Sequence, residues 1–179
     1  YKPANPIYQE VIFRTLALDF EEEFGEEATL AKSKCWVDGD KLHMTELLKE
    51  FQIYWRENSG ALKSSRGYDE AIAEIILNAY LQRLLNSGVD YVRRQVALGS
   101  QRLDICARYK GVNYPIELKI KSNQTAPESL EQISGYMNSC GATEGWLVIL
   151  DRDSQKKWDQ KLYFETQTHK GYTIHLVGC

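Results

Sequence analysis

Polar and apolar residues alternate one by one along residues 116–121. Because successive side chains of a β-strand point to opposite faces, this pattern predicts a strand that carries Glu117 and Lys119 on one face. Residues 102–109 alternate as well, and the glycine-containing segment between the two stretches predicts a β-hairpin. Pairing of the two arms brings Asp104 close to Glu117 and Lys119.

Each arm of this hairpin is predicted to have one polar and one apolar face. In the second arm, Lys121 shares the face of Glu117 and Lys119, opposite Leu118 and Ile120. In the first arm, the apolar face holds Leu103, Ile105 and Ala107, and the other face holds Asp104, Cys106 and Arg108.

Four segments with helical periodicity are predicted to be helices: residues 5–20, with Asn5 and Pro6 at the start, 44–57, 68–86 and 128–139. Residues 89–98 and 172–177 are predicted strands. The continuous apolar run at 145–150 is typical of a strand buried on both faces. A polar stretch at 61–67 divides the chain into a helical N-terminal segment, residues 1–65, and a second domain, residues 66–179.

The order of elements in the second domain is helix, three antiparallel strands, helix, strand and a further strand. This order predicts an α/β fold in which helices flank a mixed central sheet.

Composition and charge narrow the function classes. The 179 residues are 43% hydrophobic and 26% charged, an ordinary globular composition. A net charge of −3 argues against a general nucleic-acid binder. Residues 89–121 are locally basic around Asp104 and Glu117, which suits a polyanionic substrate that shares a metal ion, although a solvated strand face would look the same.

Weaker features of the sequence predict the cellular location of the protein and whether the chain is part of a longer one. The four cysteines lack metal-site spacing, and we expect reduced thiols and a cytoplasmic protein. No apolar run reaches the length of a membrane span. The first residue is Tyr1 and not a methionine, so we expect a piece of a longer protein.

The hairpin residues are suited to hold a metal ion. Mg²⁺ prefers oxygen ligands and is usually held by one or two carboxylates together with substrate phosphate. Asp104 and Glu117 are the candidate ligands, with the backbone carbonyl of Leu118 as a third. Lys119 is placed to orient a water molecule or to stabilise charge on a phosphoryl group. Mn²⁺ would serve in place of Mg²⁺.

Two helices are predicted to border this hairpin. On the preceding helix, Glu70 and Glu74 are one turn apart on a shared face. On the following helix, Gln132 and Tyr136 are four residues apart and also share a face.

Together, Asp104, the Glu117-Leu118-Lys119 triplet and the order of elements resemble the PD-(D/E)XK nuclease superfamily, the restriction-endonuclease-like proteins with an αβββαβ core. The resemblance covers residues 66–179, with Leu103 in place of the superfamily's variable proline.

The resemblance implies roles for the helical residues. Glu74, or with less support Glu70, matches a helical glutamate that assists metal binding in many members. Gln132 and Tyr136 match a QxxxY motif that lies near the metal and the DNA in a subset of members. The Asn5-Pro6-Ile7-Tyr8 start is similar to the segment that joins such a domain to an AAA-type ATPase, which implies an ATPase domain upstream.

The resulting prediction is a Mg²⁺-dependent deoxyribonuclease with Asp104, Glu117, Lys119, Glu74, Gln132 and Tyr136 as catalytic residues. The alternative is a catalytically inactive nuclease-like module that binds a partner or nucleic acid. RNA stays open as a substrate, as do endonucleolytic or exonucleolytic cleavage and a homodimeric state.

Overall fold

The structure is a computed structural model, and it describes residues 36–59, 70–85, 91–98, 101–121 and 125–179. The predicted helix at residues 5–20 and the predicted linker at 61–67 lie outside these residues. The described residues form four helices and eight strands. The helices are α1 (Met44–Asn58), α2 (Glu70–Leu85), α3 (Thr125–Cys140) and α4 (Trp158–Lys161). The strands are β1 (Val37–Asp38), β2 (Lys41–Leu42), β3 (Tyr91–Leu98), β4 (Gln101–Tyr109), β5 (Val112–Ile120), β6 (Glu144–Leu150), β7 (Tyr163–His169) and β8 (Tyr172–Gly178).

Six of the strands form one mixed sheet in the order β3-β4-β5-β6-β8-β7. Strands β3, β4 and β5 pair antiparallel, β5, β6 and β8 pair parallel, and β7 pairs antiparallel with β8. The predicted mixed α/β sheet is therefore confirmed. The elements from α2 to β6 follow one another as helix, three strands, helix and strand.

Helices cover both faces of the sheet. Strand β6 shows this directly, because Trp146, Val148 and Leu150 pack into the larger core with residues of α1 and α2. Its alternate residues Leu147 and Ile149 pack into a second core with residues of α3. The apolar run of β6 is therefore buried on both faces, as predicted.

Helix α1 shares the larger core with the sheet. Its buried residues are Met44, Leu47, Leu48, Phe51, Gln52 and Trp55. The side chain of Gln52 also donates hydrogen bonds to the carbonyls of Tyr163 (2.8 Å) and Gly178 (2.6 Å), which ties α1 to β7 and β8. The predicted domain boundary between residues 65 and 66 falls outside the described residues, but α1, on its N-terminal side, packs against the sheet.

Two local expectations differ from the structure. Helix α3 begins at Thr125 and not at residue 128, since Pro127 lies in the first turn, where the missing N–H of proline costs no helical hydrogen bond. Leu103 does not share the core of Ile105 and Ala107 but clusters with Cys106 and Tyr136. The strict alternation of the first arm therefore fails at the residue before Asp104.

Strand β7 (Tyr163–His169) is not among the strands predicted from the sequence. It forms the edge of the sheet, and its side chains are half-buried or exposed, so its sequence lacks a continuous apolar face. Within the described part of the chain, no helix is long and apolar enough to cross a membrane.

Candidate functional site

The site forms at the open end of the hairpin made by β4 and β5. The register of this pair runs from Tyr109–Val112 at the turn to Ile105–Ile116. One residue beyond, the Asp104 carboxylate accepts a hydrogen bond from the backbone N–H of Leu118 (2.9 Å). The side chain of Asp104 thus accepts a hydrogen bond from a backbone N–H that lies just beyond the last paired residues of β4 and β5. This hydrogen bond fixes the carboxylate beside Glu117.

Glu117 is the most buried charged residue of the site. Its side chain has no exposed surface, whereas most buried carboxylates of proteins have hydrogen-bond donors. Lys119 Nζ lies 2.7 Å from Glu117 Oε1 as an ion pair. Apart from Lys119 and the backbone N–H of Asp104, which both lower its pKa, Glu117 has no hydrogen-bond donor among the described residues. The carboxylate therefore has unused capacity to accept a donor or to bind a cation.

Lys119 occupies the centre of the acidic cluster. In addition to Glu117, its Nζ lies 3.3 Å from Glu70 Oε1 and 3.9 Å from Asp104 Oδ2. The first turn of α2 supplies Glu70, whose other oxygen accepts a hydrogen bond from the backbone N–H of Ile120 (3.3 Å). Glu70 therefore joins α2 to the end of β5 and gives Lys119 an ion-pair partner from outside the hairpin.

Glu74 lies one turn further along α2 and is 5% exposed. It is close enough to Asp104 for its charge to raise the pKa of that residue. The sequence favoured Glu74 over Glu70 as the helical member of the site. The structure brings both to the hairpin, and Glu70 makes the direct contact with Lys119.

The surroundings shift the pKa values of both hairpin carboxylates upward. Burial, and to a smaller extent the charges of Glu74 and Glu70, raises the pKa of Asp104 to about 6, although the Leu118 N–H and Lys119 oppose the shift. Burial, followed by repulsion from Asp104, raises the pKa of Glu117 to about 7. Near neutral pH, the site therefore carries carboxylates that favour a bound proton or another cation.

Lys119 stays charged in this setting. Burial alone would lower its pKa, but attraction to Glu117, Asp104 and Glu70 together raises it above the usual value for a lysine. Lys119 is therefore suited to stabilise negative charge and unsuited to accept a proton near neutral pH.

Gln132 and Tyr136 lie on the α3 side of the same strands. The Gln132 side-chain amide donates a hydrogen bond to the Tyr136 hydroxyl (2.9 Å). Tyr136 has no exposed surface and packs against Leu103 and Cys106, which flank Asp104 on β4. The pair therefore supports the strand that carries Asp104, and its predicted catalytic role stays a prediction.

The basic residues predicted around the site are divided between the two ends of the hairpin. Lys110 lies at the turn end, where it pairs with Asp40. Lys119 and Lys121 lie at the open end, at and just beyond the end of β5. The local basic charge of the sequence is therefore not all directed at the acidic cluster.

The carboxylates of the site suit a divalent ion that keeps part of its water shell. Among the described residues, no group of three or more His, Cys, Asp or Glu side chains is arranged to hold a metal. Two carboxylates nevertheless suffice for Mg²⁺, which keeps several waters and takes its remaining ligands from substrate phosphate. The buried carboxylate of Glu117 beside that of Asp104 fits that pattern. The Leu118 carbonyl, between Glu117 and Lys119 on β5, stays a predicted ligand.

No protein-family model matches the chain, and no curated protein matches it. The resemblance to the nuclease superfamily therefore rests on the residues themselves.

Proposed function

We propose that this chain is a Mg²⁺-dependent nuclease that hydrolyses phosphodiester bonds of DNA. The observation that supports the proposal most strongly is the fully buried Glu117 carboxylate, which lies beside Asp104 and whose ion-pair partner is Lys119. Burying a carboxylate is costly, and repulsion from Asp104 adds to the cost although Lys119 opposes it. A divalent cation bound during function would offset that cost.

Each side chain then has a separate task. Asp104 and Glu117 would hold the ion, and the Leu118 N–H fixes Asp104 for that task. A bound Mg²⁺ would polarise a phosphoryl oxygen and lower the pKa of a bound water. Lys119, held by Glu70, would stabilise the negative charge that develops on the phosphoryl group during hydrolysis.

Cleavage of DNA by the purified chain tests the proposal. Supercoiled plasmid and end-labelled linear DNA are incubated with Mg²⁺ or Mn²⁺, and the wild-type chain is compared with Asp104→Ala. The matched control is Asp40→Ala, which removes an exposed carboxylate at the other end of the hairpin. We expect the wild type and the control to cut and Asp104→Ala not to cut. Equal cleavage by all three would overturn the assignment of the site.

A second candidate function has an observation in its favour. Lys119 Nζ lies within ion-pair distance of Glu117, Glu70 and Asp104, so the cluster can also serve as an internally neutralised network without a metal. This would suit the inactive binding module. Calorimetric titration with Mn²⁺ separates the two, because the module would bind no ion. The upstream ATPase domain and the cytoplasmic location stay predictions, and RNA as a substrate and a homodimeric state stay open.

A further inference from the structure

Lys121 and Asp151 lie side by side where the parallel strands β5 and β6 end. The last registered pair is Ile120–Leu150, and the N–H of Lys121 donates to the carbonyl of Leu150 (2.9 Å). Lys121 Nζ lies 3.2 Å from Asp151 Oδ2. Since side chains alternate along β5, Lys121 is on the same face as Lys119. The acidic site and Lys121 are therefore consecutive features of one strand face.

Asp151 holds a second lysine with the same oxygen. Lys156 Nζ lies 2.9 Å from Asp151 Oδ2, and Asp151 Oδ1 accepts a hydrogen bond from the N–H of Asp153 (3.0 Å). Burial would raise the pKa of Asp151, but the hydrogen bonds from Lys156, Asp153 and Lys121 lower it to about 2. Asp151 is thus a buried, permanently charged anchor.

The two anchored lysines remain accessible to a ligand. The Lys121 side chain is 41% exposed and that of Lys156 is 38% exposed, while Asp151 is only 7% exposed. Each lysine thus has a partner that limits its motion and a surface that faces solvent. An anchored lysine loses less side-chain entropy on binding than a free one.

The surrounding segment is basic overall. Lys121 and the loop after β6 carry four cations, which we call the basic rim: Lys121, Arg152, Lys156 and Lys157. Only Asp151 and Asp153 oppose them in this segment, and Asp153 Oδ2 is 3.9 Å from Lys156 Nζ. The basic rim therefore contrasts with the acidic cluster, where Asp104, Glu117, Glu70 and Glu74 surround Lys119.

We propose that the basic rim binds the sugar–phosphate backbone of the substrate strand next to the bond that is cut. The inference rests on the proposed function, since it takes Lys119 to lie at the scissile phosphate. Residues two apart on a strand are separated by about 6.8 Å. This step brings Lys121 within reach of the phosphate that neighbours the one at Lys119.

This contact defines the substrate class. Contacts to phosphates position a nucleic acid but do not read its bases. The substrate is therefore a polynucleotide that extends beyond the cut on the β6 side, and the basic rim holds this extension without reading its sequence. A substrate ending at the scissile phosphate would lose the contact with the basic rim.

Lysine footprinting of the wild-type chain tests the proposal without a mutation. The protein is acylated in Mg²⁺ with and without a phosphorothioate-linked DNA strand, which resists hydrolysis, and the labelled lysines are quantified by mass spectrometry. We expect protection of Lys121 and Lys156 and unchanged labelling of Lys110, which is ion-paired and exposed at the turn end. Equal labelling of Lys121 and Lys156 with and without the strand would overturn the proposal.

A double variant, Lys121→Gln with Lys156→Gln, supplies the energetic test, and Lys110→Gln is its control. For variants that keep the wild-type melting temperature, binding of the same strand is measured by fluorescence anisotropy over a range of salt concentrations. We expect binding on the order of tenfold weaker and a salt dependence reduced by about one counterion for each lysine. Binding and salt dependence equal to those of Lys110→Gln would refute the inference.

The two proposals fail in different ways. If the wild type shows protection of Lys121 and Lys156 but cuts no DNA, the basic rim stands as a surface that binds nucleic acid, and the nuclease activity falls. If the wild type cuts DNA but the double variant binds and cuts as the control does, the activity stands and the basic rim falls.

Discussion

The two ends of the β4–β5 hairpin each carry a lysine paired with a carboxylate, but the pairs lie in opposite environments. At the turn end, Lys110 and Asp40 are 51% and 85% exposed. At the open end, Lys119 and Glu117 are 23% and 0% exposed. An exposed pair contributes little to stability because water screens it, whereas a buried charge is costly unless it is fully paired. Only the buried pair at the open end therefore carries a free-energy cost that calls for a functional explanation.

The pKa directions at the two ends show the same contrast. The hydrogen bond from Lys110 lowers the pKa of Asp40, as expected for a surface carboxylate that has a cationic partner. Burial and neighbouring negative charge raise the pKa of Glu117 despite its lysine. The turn end is a stabilised ion pair, and the open end is a site with excess negative charge that a cation would relieve.

The largest expected effect is the difference in DNA cleavage between a variant of Lys119 and a variant of Lys110. Lys119→Gln removes the charge that would stabilise the developing phosphoryl anion, so we expect cleavage of DNA to fall by about 10²- to 10³-fold. Lys110→Gln at the exposed end should leave cleavage within about twofold of the wild type. Initial rates on linear DNA in Mg²⁺ measure both. Equal losses in the two variants would remove the functional distinction between the ends of the hairpin.

The next effect concerns stability and its dependence on pH. In the folded chain, Glu117 keeps its proton up to about pH 7, whereas in the unfolded chain it ionises near its ordinary value of 4.5. The unfolded state therefore binds fewer protons between these values, so the contribution of Glu117 to the free energy of unfolding falls as pH rises through that window. Asp104 acts in the same direction at lower pH.

Glu117→Gln should therefore stabilise the metal-free chain by about 1–3 kcal/mol at about pH 8 and have little effect at about pH 4. The same variant should not cut DNA. Asp40→Asn at the exposed end should show no comparable gain. Denaturant unfolding in the presence of EDTA at the two pH values measures the difference. A loss of stability for Glu117→Gln at the higher pH would identify the Glu117–Lys119 pair as a stabilising ion pair instead.

The smallest expected effect concerns two buried tyrosines, one near each end of the β4–β5 hairpin. Tyr136 accepts a hydrogen bond from Gln132 beside the open end, and Tyr109 donates one to the carbonyl of Gly39 (3.0 Å) at the turn end. We expect Tyr136→Phe and Tyr109→Phe each to lower the free energy of unfolding by about 0.5–1.5 kcal/mol. Only Tyr136→Phe should also slow cleavage. A loss of activity in both variants would indicate a general effect of stability.

The sequence predicted the parts of the site that depend on local periodicity. Alternation along β5 places Glu117 and Lys119 on one face, and the 2.7 Å contact between them confirms it. Helical spacing predicted that Glu70 and Glu74 share a face of α2, and both lie near the hairpin. Which of the two glutamates contacts Lys119 depends on where α2 begins relative to the end of β5. The spacing of residues along the helix does not contain that information.

The rest of the structure depends on pairings between distant residues. The contact of Lys121 with Asp151 follows from the parallel register of β5 and β6, which no local pattern encodes. Strand β8 lies between β6 and β7, so the position of β7 depends on a crossover. Leu103 lies in a cluster with Cys106 and Tyr136, a contact that depends on the packing of α3 against the sheet. Each of these features needs the assembled sheet.

The central claim is that the open end of the hairpin binds a divalent cation. A crystal of the chain soaked with Mn²⁺ and measured at the manganese absorption edge tests it most directly. We predict an anomalous peak between the carboxylates of Asp104 and Glu117, absent in a soaked crystal of Glu117→Gln. A soaked wild-type crystal without a peak at these carboxylates, from protein that cuts DNA in Mn²⁺, would contradict the claim.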